Sequence, residues 1–196
     1  MAPPFADVLS QAPTQPVFYY DLGSPRCYLL AERIMADLPV VPEWEPVLAA
    51  DLGIQEPEPD RGALERLVDE LRMQPLRWPR QWPPDARTAA LAATYAKHIG
   101  RAVAFSLACF RQAFAGGRDL GDESTVLIAA AACEMHPSAV LKGIGLRSVT
   151  TGLEQAAARA RAAGVTQLPA IGVGDRTFTE LEQAAEALGT QAGTRR

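Results

Sequence analysis

The stretch FYYDLGSPRCYLL, residues 18–30, predicts a strand that runs directly into a helix. Residues 17–20 are β-branched or aromatic and follow a proline, which is typical of a buried strand. Ser24 is a residue type that caps helix N-termini, and Pro25 stands where the first helical residue would be. Apolar residues then recur at helical spacing until Pro39 ends the helix. They are Cys27, Leu30, Ala31, Ile34 and Leu38.

The segment that follows predicts a second strand and then a long helical block. The extended run VVPEWEPVL, residues 40–48, comes immediately after the helix, and a strand, a helix and a strand in this order indicate a crossover between parallel strands. The proline-rich run GIQEPEPDRG, residues 53–62, predicts a loop. From there to residue 163, successive segments carry apolar residues three and four apart and end near glycine or proline, so we expect helices.

The C-terminal part of the chain, residues 169–189, is predicted to contain two strands and a helix. The runs PAIGVG and RTF flank Gly174 and Asp175, which predicts a hairpin. A helix then begins at a capping box of Thr179 and Glu182 and is expected to end at Gly189.

This order of elements predicts an α/β thioredoxin-like fold, in which a four-stranded mixed sheet (βαβ…ββα) carries a large all-helical insertion. Residues 16–50 and 164–190 are assigned to the thioredoxin-like domain and residues 51–163 to the helical insertion domain. Residues 1–15 are read as a flexible lead-in and residues 191–196 as a tail.

The composition and the net charge indicate which classes of partner are not expected. The chain has 196 residues, 48% of them hydrophobic, and a net charge of −4, so neither nucleic acid nor an anionic membrane is expected as a partner. The three cysteines are widely spaced and form neither a CxxC nor a zinc pattern, so we expect no metal and a reducing, cytoplasmic setting.

Two positions could carry chemistry. Ser24 lies where unpaired N–H groups and the dipole of a helix N-terminus favour an anion such as a thiolate. Pro169 immediately precedes a predicted strand, which suggests a cis bond after Leu168 and leaves the backbone groups of Leu168 free for an extended ligand.

Four stretches together give a family resemblance: YYDLGSPRCYLLAERI, RWPRQWPPDARTAALAATYA, ACFRQAFAGGRDL and RAAGVTQLPAIGVG. They resemble the DsbA-like superfamily, in its branch of 2-hydroxychromene-2-carboxylate isomerases and kappa-class glutathione transferases. The resemblance extends from about residue 17 to residue 188 and depends more on the order of the motifs than on any single one.

The resemblance implies a function and a site. Ser24 matches the serine that hydrogen-bonds the sulfur of bound glutathione, and Leu168 and Pro169 match the pair that holds the cofactor through the backbone. Pro84 and Asp85, with the proline before them, match a PPN turn near the substrate. The implied activity is that of an isomerase or transferase that uses glutathione or another low-molecular-weight thiol on an aromatic or conjugated small carboxylic acid. A homodimer is implied as well.

The sequence also departs from this family. Asp85 replaces an asparagine, and Arg26 stands where an aromatic residue is common, so Arg26 is expected to add positive charge for the thiolate or for a substrate carboxylate. The loop after EPVL is short, and the family's G-x-D-R segment has no counterpart. These departures favour an alternative, in which a thioredoxin-fold binding protein has kept the cleft without catalysis.

Several residues have two interpretations. Ser24 is either an N-cap alone or a thiol-binding group, and Cys27 is either a core residue or the redox group of a DsbA-like thiol oxidoreductase. Trp78 and Trp82 either cap the core or form the wall of a substrate pocket. Stacking of the two tryptophans on nucleic-acid bases is disfavoured by the net charge.

Overall fold

The computed structural model of the chain describes residues 15–55 and 57–193. The predicted lead-in, apart from Gln15, and residues 194–196 of the predicted tail lie outside the described residues.

The four predicted strands form one mixed sheet. β1 (Val17–Tyr20) pairs in parallel with β2 (Glu43–Pro46) and antiparallel with β3 (Ala170–Val173). β4 (Arg176–Phe178) pairs antiparallel with β3, and the strand order is β2-β1-β3-β4. The predicted fold class is therefore confirmed, with the first strand at the centre and the two ends of the chain joined in one sheet.

Helices occupy most of the rest of the described chain. α1 follows β1, six helices lie between β2 and β3, and α8 follows β4. Their bounds are α1 Pro25–Asp37, α2 Arg61–Glu70, α3 Arg87–His98, α4 Ala102–Phe110, α5 Glu123–Ala132, α6 Pro137–Ile144, α7 Arg147–Ala162 and α8 Leu181–Gly193. A π-helical turn, Arg111–Ala115, continues α4. The last helix does not end at Gly189 as predicted, because a glycine within a helix weakens it without requiring it to end.

One aromatic cluster joins the sheet to the inserted helices. The Tyr20 ring centroid lies 5.4 Å from that of Trp44 and 5.8 Å from that of Phe110 on α4. The buried Tyr20 hydroxyl and the Ser106 hydroxyl form a hydrogen bond of 2.6 Å. The insertion and the sheet consequently share a single hydrophobic core.

Small side chains and one ion cluster fix the insertion. Five alanines of α3 are buried, and small residues let neighbouring helices approach closely. Glu45, buried at the edge strand β2, lies 2.8 Å from the Lys97 ammonium of α3 and 2.9 Å from the Arg159 guanidinium of α7. These contacts hold α3 and α7 against the sheet.

Candidate functional site

The junction of β1 and α1 places Ser24 at the N-cap position of α1. Its backbone is extended, its N–H donates to the carbonyl of Asp21 at 3.1 Å, and its carbonyl accepts from the N–H of Tyr28. The hydroxyl makes no capping bond and no other hydrogen bond within the described residues. Ser24 is therefore the N-cap residue of α1, as predicted, but without the side-chain hydrogen bond that usually accompanies this position, so the hydroxyl stays available to a ligand.

A buried carboxylate that the sequence analysis missed shapes this junction. Asp21 accepts hydrogen bonds from the N–H of Gly23 and from the N–H of Ala49, each at 2.8 Å. Burial raises the pKa of Asp21, although its two backbone donors oppose the rise. The carboxylate thus ties the β1–α1 loop to the segment after β2. The spacing Asp-x-Gly, which is typical of an Asx turn, was the signal available in the sequence.

The loop before β3 provides the second predicted group. The bond between Leu168 and Pro169 is cis, as predicted, and Ala170 begins β3 opposite Tyr19. Neither the N–H nor the carbonyl of Leu168 takes part in a backbone hydrogen bond among the described residues. Both groups can therefore pair with an extended ligand, as in β-strand addition.

Ser24 and Leu168 line the same cavity, which we call the serine cavity. Its volume is about 660 Å³, within the usual range for small-molecule sites. Arg26, Trp82, Gln55 and Gln167 contribute further to its wall. The remaining lining residues are Pro25, Leu52, Gly53, Ile54, Pro57, Glu58, Pro59, Asp60, Val165 and Thr166.

Two further cavities adjoin the serine cavity. The leucine cavity, about 360 Å³, lies between α1, α2, the Leu168–Pro169 loop and the start of α8. Five residues line both this cavity and the serine cavity: Arg26, Pro59, Asp60, Gln167 and Leu168. The third cavity, about 590 Å³, is lined by Asp21, Trp82, Pro84 and Asp85, among others. Three connected spaces therefore surround the N-terminus of α1.

Four of the five residues predicted for the substrate pocket line the cavities described above, and the fifth, Trp78, does not. Arg26, Trp82, Pro84 and Asp85 all line these cavities. Asp85 also accepts a hydrogen bond from the N–H of Arg87 at 3.0 Å, so it helps to begin α3. Trp78 is absent from the linings of the three cavities.

Trp78 instead packs against its neighbours on the α2 side. The Arg61 guanidinium lies 4.7 Å from the centroid of its ring, and Trp82 meets it edge-on at 6.1 Å. Trp78 is therefore placed to support Trp82.

The cysteines are placed in the core. Cys27 and Cys109 are fully buried and Cys133 is 7% exposed, and none forms a disulfide among the described residues. Burial raises the pKa of the Cys109 and Cys133 thiols. Cys27 follows Ser24 by three residues on the inward face of α1, where a thiol packs as a small hydrophobe.

Residues 15–55 and 57–193 contain no group of three or more His, Cys, Asp and Glu side chains placed to hold a metal ion. None of their helices is both long enough and apolar enough to cross a membrane.

Comparison with known proteins supports the fold. No protein-family model matches the sequence, and no curated protein matches it. A solved 2-hydroxychromene-2-carboxylate isomerase superposes with a TM-score of 0.75 and 17% identity, over 91% of this chain and 94% of that one. A probable DsbA oxidoreductase from Streptomyces coelicolor gives a TM-score of 0.71 and 17% identity, over 93% and 91%. DsbA from Pseudomonas aeruginosa gives 0.60 and 13%, over 95% and 88%. The chain has the DsbA-like thioredoxin fold.

Proposed function

We propose that this chain is an enzyme that uses a low-molecular-weight thiol, glutathione or a smaller one, to isomerise or conjugate a small unsaturated carboxylic acid. The observation that carries the proposal is the hydroxyl of Ser24. This hydroxyl has no hydrogen-bond partner in the described chain, lies at the N-terminus of α1, and faces a cavity lined also by Leu168. Ser24 lines this cavity, so its hydroxyl is placed to donate a hydrogen bond to a ligand bound there.

The residues of the serine cavity fit a bound thiolate. Ser24 would donate a hydrogen bond from its hydroxyl to the sulfur, and the first turn of α1 would add the field of its dipole. The N–H and carbonyl of Leu168 would pair with an amide of the same ligand. These contacts favour the anionic sulfur over the neutral thiol, which lowers the pKa of the bound thiol.

A bound thiolate would supply a nucleophile whose addition to a conjugated acid makes the double bond transiently single. After rotation, the C–S bond breaks again and gives the isomer; where the C–S bond is kept, the α-carbon takes a proton from water and the product is a conjugate. Arg26 is the residue placed to bind the carboxylate of that acid. It lines the serine cavity two residues after Ser24 and makes no ion pair within the described chain. Its cation would also favour the negative charge that moves toward the carboxylate during addition.

The similarity to a 2-hydroxychromene-2-carboxylate isomerase is compatible with this proposal, but it extends only to the fold. The choice of glutathione, a cytoplasmic setting and a homodimer stay predictions. A thiol oxidoreductase that uses Cys27 is less consistent with the geometry, because that thiol is fully buried. A binding protein without catalysis would use the same cavities, and the experiment below separates it from the enzyme.

The test compares thiol binding by the wild type and by Ser24→Ala. Calorimetry with glutathione, S-methylglutathione and smaller thiols should show binding of a free thiol, weaker by about tenfold to a hundredfold in Ser24→Ala because a hydrogen bond to a charged group is lost. The ultraviolet absorbance of the thiolate should rise on binding to the wild type only. Ser148→Ala, which changes an exposed serine in the first turn of α7, is the matched control.

The melting temperature separates loss of binding from loss of structure. Ser24→Ala should unfold at nearly the wild-type temperature, since its hydroxyl makes no bond to the protein. Absence of binding by every thiol, or equal binding to both proteins, would reject the proposed enzyme. Thiol binding that depends on Ser24 but produces no turnover of conjugated acids would favour the binding protein.

A further inference from the structure

The leucine cavity differs chemically from the serine cavity beside it. Its apolar wall is almost entirely aliphatic, and none of the lining residues that the structure describes is aromatic. Seven leucines line it: Leu29, Leu30, Leu64, Leu67, Leu71, Leu168 and Leu181. The serine cavity and the third cavity both contain Trp82. An aromatic ring would find a stacking partner only in those two, whereas a flexible aliphatic chain suits the leucine cavity.

The two arginines at the edge of this cavity differ in their partners. The Arg33 guanidinium lies 3.0 Å from Asp37 and 2.9 Å from Glu182, so its charge is already neutralised. Arg26 has no ion pair within the described residues, and its side chain borders both the leucine and the serine cavities. The carboxylates that line the leucine cavity are those of Asp60, Glu180 and Glu182, and Glu182 is the one paired with Arg33. A bound anion is therefore expected at Arg26 and not elsewhere along the edge.

We propose that the leucine cavity binds the aliphatic chain of a carboxylic acid whose carboxylate pairs with Arg26. Such a molecule would lie across Leu168, with its charged end at the boundary of the serine cavity. If the enzyme proposed above is correct, its substrate is an unsaturated acid with an aliphatic chain. That identification of the substrate rests on the proposed function, whereas binding of the acid does not.

Helix α2 provides the cover of the cavity. It buries only Leu64 and Val68, and its N-terminus is fixed by Asp60, which accepts a hydrogen bond from the N–H of Ala63 at 2.9 Å. The segments on either side, residues 53–60 and 71–86, contain neither helix nor strand where they are described. A helix with so few buried contacts opens locally at low free-energy cost, so an acid that fills the cavity should stabilise α2.

The first experiment measures the binding of saturated carboxylates, from butanoate to decanoate, by calorimetry without any thiol. The affinity should rise about fourfold for each added methylene until the cavity is full. Octanoate should bind more tightly than octanol. This preference should disappear in Arg26→Gln and persist in Arg80→Gln, which changes an exposed arginine outside the lining of the cavity.

The second experiment compares two leucines of equal exposure. Leu67 lines the cavity and Leu141 lies on α6, and each is 38% exposed. Leu67→Gln should weaken octanoate binding by about tenfold, while Leu141→Gln should leave it unchanged. Octanoate should also slow hydrogen exchange of the α2 amides. Binding that is insensitive to Leu67 or to Arg26, or no binding at all, would overturn the proposal.

Ser24→Ala distinguishes this inference from the proposed function. Octanoate should bind this variant as it binds the wild type, because Ser24 is absent from the lining of the leucine cavity. If thiols bind in a Ser24-dependent way and octanoate does not bind, the acid site fails and the thiol-dependent enzyme stands. If octanoate binds and no thiol does, the acid site stands and the proposed function fails.

Discussion

Replacement of Asp21 by alanine should destabilise the junction that carries Ser24. The carboxylate is 8% exposed and accepts from two backbone N–H groups, those of Gly23 and Ala49. Each buried N–H left without an acceptor costs about 1–3 kcal/mol, so the two cost about 2–6 kcal/mol. Removal of a buried carboxylate returns part of this free energy. We therefore expect a loss of about 3 kcal/mol at neutral pH.

The assay is urea unfolding, supported by the melting temperature. A loss of that size should lower Tm by about 6–12 °C in a chain of this length. Asp119→Ala is the matched control, because Asp119 accepts from the N–H of Gly121 at 2.9 Å in the same Asp-x-Gly arrangement but near the surface. It should lower the free energy of unfolding by less than about 1 kcal/mol.

The pH dependence of the Asp21→Ala effect has a definite sign. Burial raises the pKa of Asp21, so the folded protein holds this proton more tightly than the unfolded protein does. The part of the Asp21 contribution that comes from the raised pKa is then fully present below the unfolded pKa of about 3.9 and is lost as pH rises through the folded pKa, whereas the part from the hydrogen bonds to Gly23 and Ala49 remains at neutral pH. The difference between wild type and variant should therefore shrink from pH 4 upward. A difference that grows with pH, or equal losses in the variant and its control, would refute this reasoning.

Three further predictions concern the buried thiols and two helical glycines. The three thiols should react with a disulfide reagent only after unfolding, because all are buried, and one reactive thiol in the native protein would reopen the oxidoreductase alternative. Gly143→Ala should destabilise the protein, since a Cβ would lie 2.6 Å from the ring of Tyr95. Gly189→Ala, within α8, should raise the free energy of unfolding by about 0.5–1 kcal/mol, because a Cβ there has no atom within 4 Å. Thermal unfolding of the two variants checks both signs, and destabilisation by both would contradict the packing described.

The fold could be predicted because its signals are local and ordered along the chain. The strand before Ser24, the proline at position 169 and the turn at residues 174–175 each have a backbone preference that does not depend on distant contacts. The end of α8 was predicted less well. Gly189 costs helix stability, but packing of Leu188 and its neighbours outweighs that cost, and a sequence pattern does not include it.

The candidate site could be predicted only in part. Ser24 and Leu168 were found because each occupies a special position on its own element. The role of Asp21 depends on Ala49, which lies 28 residues away along the chain and is brought near by the parallel pairing of β1 with β2. The leucine cavity was missed for the same reason. In the sequence, Leu67 is one apolar residue of an amphipathic helix. Only the structure shows that α2, α1 and the Leu168 loop enclose a cavity between them.

Of the solved structures with this fold, one is described as an isomerase and another as a probable oxidoreductase. The fold alone therefore does not determine the function of this chain, which has to be argued from the site. The chemical difference lies within one turn of α1. Both residues are buried, at 1% and 0% exposure, but Ser24 lines the serine cavity, whereas Cys27 lines none of the three cavities. Any sulfur chemistry at this point would therefore require sulfur from a bound molecule. Because Arg26 and Leu168 border both cavities, an acid in one and a thiol in the other would meet beside Ser24. Binding of the two ligands together should then be the condition for turnover.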